Sequence, residues 1–401
     1  MDPINNPYSP GAGTRPPELT GRENLRKSMQ ISIARKRKGL NAKSILMVGL
    51  RGVGKTVLLD LIRDDAEHTG IHTIRIEAPE KRSLPALIAP QLRKELLRLS
   101  LIENAKELTK RALKGLAGFA KALKFKYNDI EVGFDEEPEP GLANNGDLEH
   151  DLPELLEVVG QAAQKANTAF VLLIDELQYV QEDQLAALIT ALHRCAQRNL
   201  PVTLVGAGLP QLRGQMGNAK SYAERLFDFP ELGPLLKQEV FEALEKPAEE
   251  LNVRFTPEAL ELIFKKTKGY PYFIQEWGKH SWDVATKSPI TAMDVERASN
   301  IAIADLDASF FRVRFDRLTP SEKVYLRAMA ELGEGPHRSG DVADLLTKNV
   351  NQLAPARSKL IEKGMIYSPN HGETAFTVPL FDEFMRRIMP GNEWNEKRIV
   401  K

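Results

Sequence analysis

Over the first 235 positions, short uninterrupted apolar runs alternate with stretches in which apolar residues recur every three or four positions. The runs at 44–48, 71–76, 170–174 and 201–205 read as strands, three of them buried and the second alternating. Leu58, Leu61 and Ile62, and later Leu185, Leu188, Ile189 and Leu192, keep helical spacing. Strands and helices in alternation predict an α/β fold with a mostly parallel sheet covered on both faces. From about 235 the strand signal stops. Thr256-Pro257 supplies a capping hydroxyl and a first-position proline, and Gly269 a stop, so 235–300 reads as a helical lid.

Thr319-Pro320-Ser321-Glu322 is a capping box opening a helix at 322–332. A short helix at 341–346, a third at 355–363 and two strands at 365–367 and 375–378 around Asn370-His371-Gly372 make a winged helix-turn-helix of 301–390. Residues 1–18, rich in Pro, Gly and Asn, read as a flexible arm, and 391–401 as a tail. The α/β core at 19–234 carries an insertion at about 100–150. There a lysine-rich helix at 101–126 is followed by Asp135-Glu136-Glu137-Pro138-Glu139-Pro140, which predicts an amphipathic surface helix beside its own acidic hairpin.

The chemistry is concentrated where strands end. After the run at 44–48, Gly49, Gly52, Gly54, Lys55 and Thr56 complete G-x-x-x-x-G-K-[ST], with Val53 inside the loop and Val57 continuing into the helix. Glycines at this spacing let successive backbone N–H groups and a helix N-terminus face a phosphate. Lys55 would reach the outer phosphates, and the Thr56 hydroxyl would ligate Mg2+. The run at 170–174 ends in Asp175-Glu176: Asp175 would hold the ion, and Glu176 would orient and deprotonate an attacking water. No D-x-x-G or N-K-x-D pair accompanies them, so ATP is the expected nucleotide.

Lys plus Arg and Asp plus Glu each number 55 in 401 residues, so any polyanionic partner must meet a local patch. The one cysteine, Cys195, excludes a disulfide framework and suits a cytoplasmic protein, with a packing role for the thiol. The apolar runs are too short for a membrane span, and the seven histidines form no H-E-x-x-H or Cys/His cluster, so Mg2+ is the only metal implied.

Gly49 to Thr56, the Asp175-Glu176 strand end, Arg225, the helical lid and the terminal winged helix resemble AAA+ ATPases of the origin-recognition and replication-initiator type. They equally resemble the related STAND signalling ATPases. Thr20-Gly21-Arg22-Glu23 and Gly269-Tyr270-Pro271 narrow the resemblance, which spans roughly 17–390. It implies that Gly21 and Arg22 flank adenine and ribose, that Pro271 touches the base, and that Arg225 acts as an arginine finger on ATP held by a neighbouring copy in a homo-oligomer. Two departures stand out. No arginine occurs in 269–275, and Gly206-Ala207-Gly208 offers no polar sensor, leaving Thr203 or Gln211 as substitutes. Both favour a slow switch over fast hydrolysis.

The winged domain offers Lys348, Asn351, Gln352 and Arg357 as DNA contacts, but 319–390 holds nine basic and nine acidic residues. The leading expectation is an ATP-hydrolysing AAA+ type protein whose nucleotide state controls assembly and a DNA-binding output. The alternatives are a STAND-like switch whose winged domain binds a protein partner, and an ATP-gated DNA-binding regulator that barely hydrolyses.

Overall fold

The structure, a computed structural model, describes residues 1–11, 13–79, 82–130, 136–391 and 394; Asp135 of the acidic stretch and most of the 391–401 tail lie outside them. The chain divides into two compact units. One is Arg22–Gly49 with Lys55–Leu232; the other is Met1–Gly21, Leu50–Gly54 and Gly233–Lys401.

The first unit runs α1 (Glu23–Arg37), β1 (Ser44–Gly49), α2 (Lys55–His68), β2 (His72–Glu77), α3 (Leu84–Leu99), α4 (Lys106–Leu123), α5 (Leu148–Lys165), β3 (Phe170–Asp175), α6 (Glu182–Gln197), β4 (Val202–Gly208), α7 (Leu212–Ala219), α8 (Ala223–Leu226), β5 (Phe227–Asp228) and β6 (Glu231–Leu232). Its sheet has the order β2-β3-β4-β1-β5, with β6 also on β1, and every pairing is parallel. All residues of β1, β3 and β4 are buried, which is why they read as unbroken apolar runs. Parallel strands send their C-terminal ends to one edge. The register sets Val48 beside Gly208 and Glu77 beside Asp175, so the motif residues converge on that edge.

The amphipathic helix expected in the insertion is α4, and its apolar side is built into this unit. Leu113, Leu116, Phe119 and Leu123 of α4 belong to the main core, and its lysines line the outer side. Gly115 and Gly118 make this possible, because a Cβ would come to 3.0 Å from Leu142 Cδ2 and 3.1 Å from Leu142 O. Lysine spacing was the more visible pattern; the approach of a distant loop was not. The acidic stretch does pair back on the helix, through Arg111 and Glu139 at 3.0 Å.

The second unit contains α9 (Lys237–Glu249), α10 (Pro257–Thr267), α11 (Pro271–Val284), α12 (Ala292–Leu306), a wide turn at Asp307–Phe311, α13 (Arg312–Asp316), α14 (Pro320–Glu331), β7 (His337–Arg338), α15 (Ser339–Leu345), α16 (Val350–Glu362), β8 (Ile366–Tyr367), β9 (Glu373–Phe376) and α17 (Phe381–Ile388). The last three strands form an antiparallel sheet ordered β7-β9-β8. One hydrophobic core runs through both the 235–300 and the 301–390 segments. Phe311 joins them, with its ring 6.2 Å from Phe273 and 5.2 Å from Phe384. α16 begins at Val350, five residues before the expected start at Pro355. Asn349 and Gln352 form a capping box there, and Pro355 lies inside the helix.

The flexible arm is a further correction. Residues 1–11 belong to the second unit: Tyr8 is 3% exposed, its hydroxyl donates to Leu244 O, and Trp282 Nε1 donates to Asp2 O at 3.0 Å. Gly278 leaves room for the ring, since a Cβ there would come within 2.8 Å of Tyr8. The Pro/Gly/Asn composition concealed one anchoring aromatic. Among the described residues no helix is long and apolar enough to cross a membrane.

Replacing Tyr8 by Ala removes a buried ring and its hydrogen bond, and should cost the second unit about 3–5 kcal/mol in urea denaturation, as for other large aromatic truncations. Unchanged stability would show that the segment is unanchored in solution. Glu322, 1% exposed, closes the Thr319 cap and meets Lys363 at 2.7 Å. Burial raises its carboxyl, but Lys363 and the Thr319 donors outweigh this and hold it below the ordinary carboxylate range. Its contribution is therefore present above the ordinary value and lost as pH falls through the lowered one. Glu322→Gln should flatten the acid limb of the stability–pH curve.

Candidate functional site

β1 delivers Gly49 to the sheet edge, five residues follow, and α2 starts at Lys55. Gly52 and Gly54 hold φ of +80° and +89°, a region open to glycine, and Val53 is buried beneath the turn. The first amides of α2 have no partner within the helix, and the helix dipole adds positive potential there. Lys55 is 7% exposed and its Nζ donates to Gly49 O at 2.8 Å, which keeps the ammonium at the strand end. Val57 continues the helix half-buried.

Thr56 Oγ1 donates to Asp175 Oδ2 at 2.7 Å. A hydroxyl and a carboxylate in contact are hard oxygen donors of the kind Mg2+ takes, so the residues present fit the ion. Asp175 is 2% exposed and its other oxygen accepts from Glu176 N at 2.9 Å. Glu176 has a left-handed backbone, φ 53° and ψ 35°, uncommon for a residue with a side chain. Strain of this kind persists only where neighbours hold it.

One of those neighbours is Gln178, which belongs to no sequence motif. Its Nε2 donates to Glu176 Oε2, while its Oε1 accepts from Leu209 N at 3.0 Å. It thus ties Glu176 to the end of β4. Gly208 is small for this reason: a Cβ would lie 2.8 Å from Gln178 Oε1. A signal existed, since an amide two positions after paired acids flanks the buried Leu177. Arg75, the polar residue between Ile74 and Ile76 of β2, reaches Asp175 Oδ2 at 3.3 Å.

The sensor substitutes fare differently. Thr203 is 1% exposed and sits 3.2 Å from Ser44 Oγ, at the opposite end of the strands, so it cannot face a nucleotide at this edge. Gln211 Oε1 is buried with no hydrogen-bond partner among the described residues. Gly206 is sterically obligatory, because a Cβ would come to 2.3 Å from Leu177 Cδ1 and 2.5 Å from Leu46 Cδ2.

Gly21 (φ +76°) adjoins the Glu239 carboxylate, and Arg22 caps α1 half-buried. Pro271 opens α11 after left-handed Lys268 and Gly269. Within the second unit, Tyr272 N donates to Gly52 O at 3.1 Å and Arg51 N to Thr377 O at 3.0 Å. Arg225 lies exposed on the short α8, with no ion pair among the described residues. Lys348 and Asn351 are exposed, and so is Gln352, although its side chain is used in the cap of α16. Arg357 turns inward instead, donating to Ser368 Oγ at 2.9 Å and Glu373 O at 3.2 Å. Cys195 is fully buried, and burial pushes its thiol up to about 12, consistent with packing.

A glycine loop between a buried parallel strand and a helix, with the hydroxyl after its lysine bonded to an acid at the same sheet edge, defines a P-loop nucleoside-triphosphatase fold. Residues 18–205 match the model of an AAA ATPase domain, and 308–385 match a domain of unknown function (DUF8462). No curated protein matches the chain. Among solved structures, the Walker-type ATPase of Pyrococcus abyssi is similar in fold over 93% of this chain and 97% of its own, at 16% identity and TM-score 0.59. Aeropyrum pernix Orc1 in complex with DNA aligns over 92% and 93% at 16% identity, with TM-score 0.46. The Thermotoga maritima RuvB Holliday junction branch migration motor aligns over 88% and 92% at 17% identity, with TM-score 0.43.

Gln178→Leu should destabilise the first unit by about 1–3 kcal/mol, because it leaves the Leu209 amide without its acceptor. Chemical denaturation followed by circular dichroism measures this. A loss within error would mean that water replaces the amide at no cost.

Proposed function

We propose that the chain binds ATP with Mg2+ at the Gly49–Thr56 loop and hydrolyses it. The carrying observation is the 2.7 Å contact of Thr56 with Asp175 at the edge where Lys55 and Glu176 also stand. Loop amides and the α2 N-terminus bind the phosphates, Lys55 offsets charge on the outer ones, and Thr56 and Asp175 hold the ion. Mg2+ supplies charge neutralisation of the phosphate oxygens when bound. Glu176, restrained by Gln178, orients the attacking water and takes its proton.

Hydrolysis is slow on this reading, since no polar side chain fits at Gly206 and the lid segment has no arginine in 269–275. Arg225, exposed and without an ion pair among the described residues, is available to ATP on a second copy, which supports a homo-oligomer. The bonds of Tyr272 to Gly52 and of Arg51 to Thr377 support control of the C-terminal elements by the nucleotide state of the loop. Three helices with a three-stranded antiparallel sheet support a winged helix, with Lys348 and Asn351 on α16 and the turn before it facing DNA. The inward use of Arg357 and the neutral charge of 319–390 favour a second reading, a cytoplasmic switch whose winged domain docks a protein.

ATP turnover measured against protein concentration, with and without duplex DNA, tests both. Lys55→Ala should abolish nucleotide binding, and Glu176→Gln should keep it while lowering turnover by about 10²–10⁴. Turnover that rises with concentration and falls in Arg225→Ala supports the oligomer. No DNA binding at low salt leaves the docking switch, and ATP binding without turnover in the wild type overturns the hydrolase.

A further inference from the structure

Asp175 is nearly inaccessible to water and must be compensated by what surrounds it. The Thr56 hydroxyl and the Glu176 amide donate to it, but its one ion pair among the described residues is with Arg75, with Nη2 at 3.3 Å from Oδ2. That guanidinium is held from two further sides. Its Nε donates to Asp60 Oδ1 at 2.9 Å and its Nη1 to Ile76 O at 2.7 Å. The β2–β3 register pairs Glu77 with Asp175, so Arg75 stands two residues back along the neighbouring strand, and strand pairing fixes its reach. A lysine could not make these contacts together, because its charge sits on one atom rather than a planar fork.

We propose that Arg75 is a positioning residue that holds Asp175 and shares its charge, and thereby sets how tightly the site takes its divalent ion. The proposal rests on the reading of Thr56 and Asp175 as ion ligands. Arg75 keeps the carboxylate aimed at Thr56 while no ion is present. Once the ion is present, a fixed cation on the same oxygen opposes a dication, and it does so strongly because the site is poorly screened. Asp60 acts in the reverse sense. Its carboxylate lies against the far side of the guanidinium and offsets part of the charge that the ion meets, with Arg63 3.7 Å away as a further influence on it. The pair therefore sets the electrostatic level of Asp175 from outside the phosphate loop.

The two acid–base partners give opposite signs, and a merely structural role does not. The test is ADP binding by calorimetry over a range of free Mg2+, which yields the ion's affinity for the protein–nucleotide complex without relying on turnover. Arg75→Gln should raise that affinity about tenfold, and Asp60→Asn should lower it severalfold. If both substitutions weaken it, Arg75 serves only to hold the strand and the proposal fails; if neither changes it, the proposal also fails. Thermal unfolding without ligand checks that the variants fold. Should Arg75→Gln not fold, Asp60→Asn decides alone: a severalfold lower affinity for the ion supports the proposal, and an unchanged or higher one overturns it. Wild-type protein that binds no ADP would remove the nucleotide reading itself, whereas ADP binding with the same Mg2+ dependence in Arg75→Gln removes only the inference.

Discussion

The hydrogen bond from Thr56 to Asp175 joins residues 119 apart in the chain, and most of the first unit can be understood as what allows it. Asp175 ends β3 and Thr56 follows β1 through the loop, with β4 between those strands in the sheet. A buried hydroxyl–carboxylate contact across that gap needs strands that keep register, and the register is kept by complete burial of β1, β3 and β4. Helices α1, α2, α3, α5 and α6 supply the cover. The apolar runs are thus not only a core; they fix where an edge lies and which side chains meet there.

What was legible in the sequence was what is local. The glycine loop, the acids, the capping box at Thr319 and the order of strands and helices are all set within a few residues, by backbone conformation or by hydrophobic period. What was missed depended on distant partners. Tyr8 reads as one aromatic in a Pro-rich stretch until α9 and Gly278 are placed around it. The apolar stripe of α4 is visible in the sequence, whereas the loop that covers it is not: two glycines admit Leu142. Arg357 has the chemistry of a phosphate contact, yet its Nη2 is taken up by Ser368 and Glu373 beside the small sheet. Pro355 looked like a helix start because the cap at Asn349 is written in polar residues that equally suit a turn.

Around the acids the same division holds. Asp175 and Glu176 were visible as the end of an apolar run; Arg75 and Gln178, which restrain them, were not, because each acts across strands or through an amide that no motif contains. The family match at 18–205 agrees with this pattern, since its extent covers the local motifs and ends within β4. The C-terminal elements match a domain without an assigned role, so their reading stands on geometry and charge alone.

Gly206 has a consequence for how such a protein could change over time. Leu177 and Leu46 fill the space that a side chain on this residue would need. A single substitution that installed a sensing group would meet two leucines before it met a nucleotide, so any gain in chemistry would first pass through a poorly folded intermediate. A larger residue here is reachable only if those leucines are trimmed beforehand, so the order in which substitutions can accumulate is set by the packing of the sheet.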